Sequence, residues 1–213
     1  MSIVLDGTSG LTSPAAVLTT TPLAVTSGGT GAATLVLPAL KQQIFATAGA
    51  STFTVPTGVT QLKVTVIGGG GGGGLSGRAT GGGASVKWIT GLVPAAIIAT
   101  TVGAGGAAVN ATPYIGATGG SSSFGAYCSA TGGLGIGQGG LGSGGDLNAA
   151  GGIGSFGATC GTGNYSFASG GSLFSGGTTN ATIGVYGVGG SGTGNITGNV
   201  AGAAGVILVE WIA

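Results

Sequence analysis

The charged and thiol side chains available for chemistry in this 213-residue chain are few: Asp6, Asp146, Glu210, Lys41, Lys63, Arg78, Lys87, Cys128 and Cys160, with no histidine. Without histidine neither a Ser-His-Asp nor a Cys-His arrangement can be assembled, and a zinc site would rest on two cysteines and very few carboxylates. The three acids fall in different segments, and Glu210 occupies a strand pattern, so a carboxylate pair for acid–base work is not expected. Nothing in the sequence marks a Ser-Lys dyad. Patterns of the form G-x-G-x-x-G occur, but a chain with 54 glycines produces them by chance, and Gly74-Leu-Ser-Gly-Arg78 lacks the Lys-Ser/Thr of a phosphate-binding loop. The expectation is a protein that is not an enzyme and uses no cofactor and no metal.

What remains is contact chemistry. Arg78 follows a glycine run read here as flexible, where a guanidinium can grip a carboxylate or a sugar phosphate or simply stay solvated. Tyr114, Tyr165, Phe167, Phe174 and Tyr186 lie in loops of Gly, Ser and Asn, the composition of binding loops in which rigid rings supply area and small polar groups supply hydrogen bonds. They also suit stacking on sugars. Each ring equally suits a local role, capping a small cluster beneath its loop. Trp88 and Trp211 sit inside strand patterns and are expected in the core. Four scattered cations cannot neutralise a run of phosphates, so nucleic acid is not an expected partner.

The elements that must position these residues are unusual in composition. Collagen is excluded because Gly132 to Gly145 runs G-G-L-G-I-G-Q-G-G-L-G-S-G-G, with no glycine at every third place. Disorder is disfavoured by 42% hydrophobic residues and a net charge of +1. So little charge suits a protein held in an assembly. No apolar run approaches the roughly 18 residues of a spanning helix, so membrane insertion is not expected. Residues 1–6 lack the basic and apolar regions of a secretory signal, which implies synthesis in the cytoplasm. Cys128 and Cys160 read as buried thiols of a reducing compartment, with pairing as the alternative.

Residues 1–44 read as an extended arm for attachment or oligomerisation, punctuated by Pro14, Pro22 and Pro38. A tight turn is expected over Thr26 to Ala32, and a short helix is allowed only over Leu35 to Phe45, with Pro38 in its first turn. Residues 45–213 read as an all-β, glycine-rich β-sandwich of jelly-roll type with extended polyglycine segments. Alternation places Phe53 and Val55 on one face, and Leu62, Val64 and Val66 on one face, which predicts a hairpin closed by Pro56-Thr-Gly-Val59. Further strands are expected over Ala84 to Thr90 and near Ala96 to Val102, with a second hairpin about Gly125. The closing run Gly205 to Ile212 is apolar on both faces, as in a central strand covered on both sides. Between these strands, residues 131–204 are expected to stack as extended glycine segments whose backbone groups satisfy one another, with side chains confined to loop tips.

Three stretches carry a resemblance. Ser51-Thr-Phe-Thr-Val-Pro-Thr-Gly-Val-Thr-Gln-Leu-Lys-Val-Thr-Val-Ile-Gly-Gly-Gly70, Gly119-Gly-Ser-Ser-Ser-Phe-Gly125 and Ala204-Gly-Val-Ile-Leu-Val-Glu-Trp211 together resemble the glycine-rich domain of bacteriophage tail-fibre and prophage tail proteins, over about residues 45–213. Ile3 to Thr12 and Val25 to Ala32 are similar to short stretches of phage fibre chains. The resemblance implies a virion protein, a homotrimeric or adhesin-like tail-fibre tip. Its partners would be other virion proteins, through residues 1–44, and a host surface glycan or outer-membrane protein, through variable loops. A purely structural virion part, such as a head fibre, decoration or baseplate protein, is the alternative. An ice-binding protein of packed glycine helices would need a flat face of regularly spaced threonines, and no threonine period appears.

Overall fold

The computed structural model describes residues 4–6, 10–12, 39–74, 79–111, 115–156, 166–168, 170–173, 186–189, 192–193 and 199–212. The chain forms two compact units, Met1–Pro38 and Ala39–Ala213. In the first, β1 (Val4–Asp6) pairs antiparallel with β2 (Gly10–Thr12), Leu5 opposite Leu11. The turn expected over Thr26 to Ala32 lies outside the described residues.

The second unit is a β-sandwich, and the described residues contain no helix. Its strands are β3 (Leu40–Phe45), β4 (Gly49–Thr54), β5 (Gln61–Ile67), β6 (Ala84–Thr90), β7 (Ile97–Val102), β8 (Ser122–Phe124), β9 (Cys128–Ala130), β10 (Gly142–Ser143), β11 (Leu147–Ala149) and β15 (Val206–Ile212). One sheet has the order β10-β9-β8-β7-β4 and the other β11-β6-β5-β15-β3, each of 5 strands. Their inner faces meet in one core. Phe53, Ile98, Val102 and Phe124 come from the first sheet and Leu62, Val64, Val66, Ile89, Ile207 and Val209 from the second. The Phe53 ring lies 5.7 Å from that of Phe124 within the first sheet and 5.8 Å from that of Trp211 in the second, and the latter contact ties the sheets together.

Alternation identified the inward faces correctly, but the hairpin expected across Pro56–Val59 does not exist. β4 pairs with β7 and β5 pairs with β6 and β15, so the turn carries the chain from one sheet to the other. Val55 and Val59, both buried, close the floor of the core at this crossing, and Gly58 takes a φ of +78° within it. The helix allowed over Leu35 to Phe45 is replaced, in the described part, by β3, whose six residues register onto β15 from Phe45↔Ile207 to Leu40↔Ile212. Ladder bonds along the free side of β15 outweigh the weak local helical preference. The hairpin about Gly125 is present, with Phe124 opposite Cys128 and Gly125 at φ +51°. β15 is central, as expected, between β5 and β3. Its outer face is covered only in part, since Ile212 is exposed. Trp211 packs against the core, whereas Trp88 is 58% exposed on the outer face, contrary to expectation. Cys128 is a free, buried thiol, and Cys160 lies outside the described residues.

At one end of the sandwich the strands continue as glycine segments that pack without side chains. Residues 68–73, leaving β5, are buried and form hydrogen bonds with a period of three. Gly68 and Gly71 donate to the carbonyls of Gly83 and Thr80, Gly69 and Gly72 to those of Gly120 and Ala117, and Gly70 and Gly73 to those of Ala203 and Val200. Three residues per turn is the repeat of polyproline II, which has no internal hydrogen bonds and must find its partners in neighbouring segments. Residues 79–83 follow the same rule: Thr80 and Gly83 donate to Leu134 and Thr131, Gly81 to Gly152 and Gly82 to Gly187. A Cβ on Gly70 would overlap the carbonyl of Val188, and one on Gly82 the carbonyl of Gly68, so only glycine permits these approaches. The run Gly68–Gly74, read from sequence as flexible, is thus the buried axis of a main-chain bundle.

This bundle joins the two sheets in a way the sandwich does not. Side chains hold facing sheets about 10 Å apart. Beyond the last apolar layer, Gly69 bonds to Gly120, which leads into β8, and Gly83 bonds to Thr131, which follows β9. Segments from both sheets therefore share one hydrogen-bond network.

Candidate functional site

The register of the bundle defines its far end, remote from the strands. Gly68, Gly83, Ala204 and Gly205 adjoin the sandwich, whereas two bonded groups stand at the opposite end, Gly73 with Val109 and Val200, and Gly170 with Ala79 and Gly189. Five connections between bundle segments leave from there: 74–79, 109–115, 134–138, 152–170 and 189–199. Their roots are well tied. Thr80, fully buried, donates its hydroxyl to the Gln138 carbonyl at 2.9 Å and accepts from the Leu134 amide at 2.7 Å, which clamps the turn between them. Asn199 donates through Nδ2 to the Val109 carbonyl at 3.1 Å and to Oδ1 of Asn110 at 2.8 Å.

The described flanks of the connections that carry the sequence candidates fall in two places. Arg78, Tyr114 and Tyr165 lie outside the described residues, in connections whose described flanks are at the far end. Phe167 is the middle residue of β13 (Ser166–Ala168), which pairs with β12 (Ser155–Phe156) and β14 (Gly192–Thr193) in a small antiparallel sheet; Phe167 stands opposite Phe156 on one side and Gly192 on the other. This sheet links the connections 152–170 and 189–199. Phe174 also lies outside the described residues, in a connection that begins and ends beside the sandwich. Tyr186 closes that connection in a turn, half-exposed, with its carbonyl accepting the Ser172 hydroxyl at 2.6 Å. The next residue, Gly187, has φ +71°, and an added Cβ there would crowd Ile67 at the top of β5.

Aliphatic side chains, not named among the sequence candidates, also stand at the far end. Ile115, Leu134, Ile136 and Ile153 are all exposed at the roots of the far-end connections, Ile153 by 60%. Single Leu or Ile residues between glycine doublets were the available signal, because a large side chain cannot enter a bundle that has no room for a methyl group. Among the described residues of this end there is no Asp, Glu, Lys, Arg or Cys. Nor do the described residues hold a cluster of metal-ligating side chains. The surface offers apolar contact and hydrogen bonding by hydroxyl, amide and backbone groups. A family model described as "Glycine-rich domain" matches residues 46–212, and the chain belongs to that family. No curated protein matches it.

Proposed function

We propose that this glycine-rich domain protein is the receptor-binding tip of a bacteriophage tail fibre, adhering to a host cell-surface glycan or outer-membrane protein through the connections at the far end of its bundle. One observation carries the reading: five connections issue from one end of a scaffold whose interior is main chain. Side chains at that end can change without repacking a core, which is what recognition of variable surfaces demands. The resemblance of Ser51–Gly70, Gly119–Gly125 and Ala204–Trp211 to phage tail-fibre domains supplies the biological setting. On this reading the N-terminal unit carries attachment to other virion proteins, the assembled tip is a homotrimer, and the activity is binding without catalysis.

The test is adsorption of purified, labelled protein to a panel of bacterial strains. Binding confined to particular strains and competed by their isolated polysaccharide or outer-membrane protein is the expected result. Binding to phage particles with no binding to any cell would overturn the adhesin reading in favour of a structural virion part.

A further inference from the structure

The outer face of the second sheet, at the end away from the bundle, holds a cleft of about 350 Å³. Its floor is a cross-strand row: Trp88 on β6 is opposite Lys63 on β5, which is opposite Glu210 on β15. Lys63 Nζ lies 2.8 Å from Glu210 Oε2 and 5.9 Å from the centre of the Trp88 ring. Leu40 and Ile212, 67% and 62% exposed, stand on one side, and the turn Gly58-Val59-Thr60 with Gln61 closes the end.

From this arrangement we infer that the cleft is a binding site for a neutral saccharide ring, separate from the far-end connections. Three physical features select that chemistry. First, an indole 58% exposed on a rigid strand presents a large apolar face whose covering is favourable, and it suits the C–H face of a pyranose. Second, the middle of the cleft is an ion pair. An apolar peptide or a second sheet covering it would strip water from both charges at a cost that one contact between them does not return, and the cores of protein interfaces are correspondingly poor in charge. A hydroxyl-bearing ring replaces that water with donors and acceptors. Third, Lys63 and Glu210 neutralise each other, so the site has no net charge to select an anion or a cation. The volume is at the small end of ligand clefts, which begin at roughly 300 Å³.

The site is read independently of host adhesion, and its test uses only isolated protein and simple sugars. Methyl glycosides of glucose, galactose, mannose and N-acetylglucosamine would be titrated against the full chain, with saturation-transfer NMR and tryptophan fluorescence as readouts. Saturable, millimolar binding of at least one glycoside is expected, weakened at least about tenfold by Trp88→Ala and by Glu210→Gln, and largely kept by Trp88→Phe. Equal melting temperatures would show that the exposed Trp88 variants fold. Absence of binding by all four glycosides overturns the inference, as does binding unchanged in Trp88→Ala. A fall in particle mass by light scattering in Trp88→Ala would also overturn it, by making this face a contact between copies.

Discussion

Glycine at the bundle axis and glycine in a turn do different physical work, and substitution separates them. At Gly70 a methyl group would occupy the space of the Val188 carbonyl, a backbone atom that cannot rotate away. Gly70→Ala is therefore expected to cost more than about 3 kcal/mol in urea unfolding or to prevent folding. At Gly58 a Cβ would meet open space and only the φ of +78° is strained, so Gly58→Ala is expected to cost about 1–2 kcal/mol. Similar losses for the two would contradict the close-packed axis. Cys128 gives a pH-dependent counterpart. Burial raises its thiol from 9.0 to about 11, opposed more weakly by Lys87 and a hydrogen bond with Ser85. Because the folded value lies above the unfolded one, the neutral thiol's contribution is complete below pH 9.0 and is lost as pH rises towards about 11. Relative to Cys128→Ala, the wild-type chain should lose about 2 kcal/mol of stability over that interval, measured by denaturant titration at each pH.

Among the elements, β15 has the largest consequence. It pairs with β5 along one side and with β3 along the other, and it contributes Ile207 and Val209 to the core. Removing residues 206–212 would leave β3 without a partner strand and would open the second sheet at its centre. The truncated chain is expected to lose protease resistance and the cooperative unfolding transition together; a soluble, protease-resistant product would show that β15 is dispensable. The glycine segments behave as elements too, although they have neither a strand ladder nor a helical bond pattern. Their unit is the three-residue turn, which distributes successive amides to three neighbouring segments.

Taken whole, residues 39–213 combine a side-chain core with a main-chain core. The first is stabilised by apolar burial and the second by satisfied backbone hydrogen bonds, with glycine's entropic cost offset by the density of those bonds. Sequence change should be tolerated where neither core is touched. Inserting about six Gly/Ser residues within the turn Gly135–Gln138 is expected to change stability by less than about 1 kcal/mol, because loop closure depends only weakly on length. The same insertion after Gly82 should abolish folding, since it breaks the register between residues 79–83 and their partners at 68–73, 131–134, 152 and 187. Thermal melts of the two insertions decide the matter.

Much of this architecture was legible in the residues. Apolar alternation marked Phe53, Leu62, Val64, Val66, Ile207 and Val209 as inward-facing, and Gly125 marked a hairpin, because a two-residue period and a positive φ are local properties. The absence of histidine and the scarcity of charge bounded the chemistry before any contact was known. Pairing was another matter. A strand that turns one apolar face inward does so equally well beside its neighbour in one sheet or opposite it across a sandwich, so Phe53 and Leu62 could not reveal that their strands part at Pro56. Leu40 to Phe45 became a strand because β15 had an unpaired side, and Trp88 came to lie outside because its strand register put Ile89 inside. Arg78 and the loop aromatics were chosen by residue type, but which end of the bundle the described flanks of their connections reach depends on which glycine segments run side by side. Glycine has no side chain to carry a pattern. The identity of each segment's neighbours resides in backbone hydrogen bonds alone, and those are made only when the whole chain has folded.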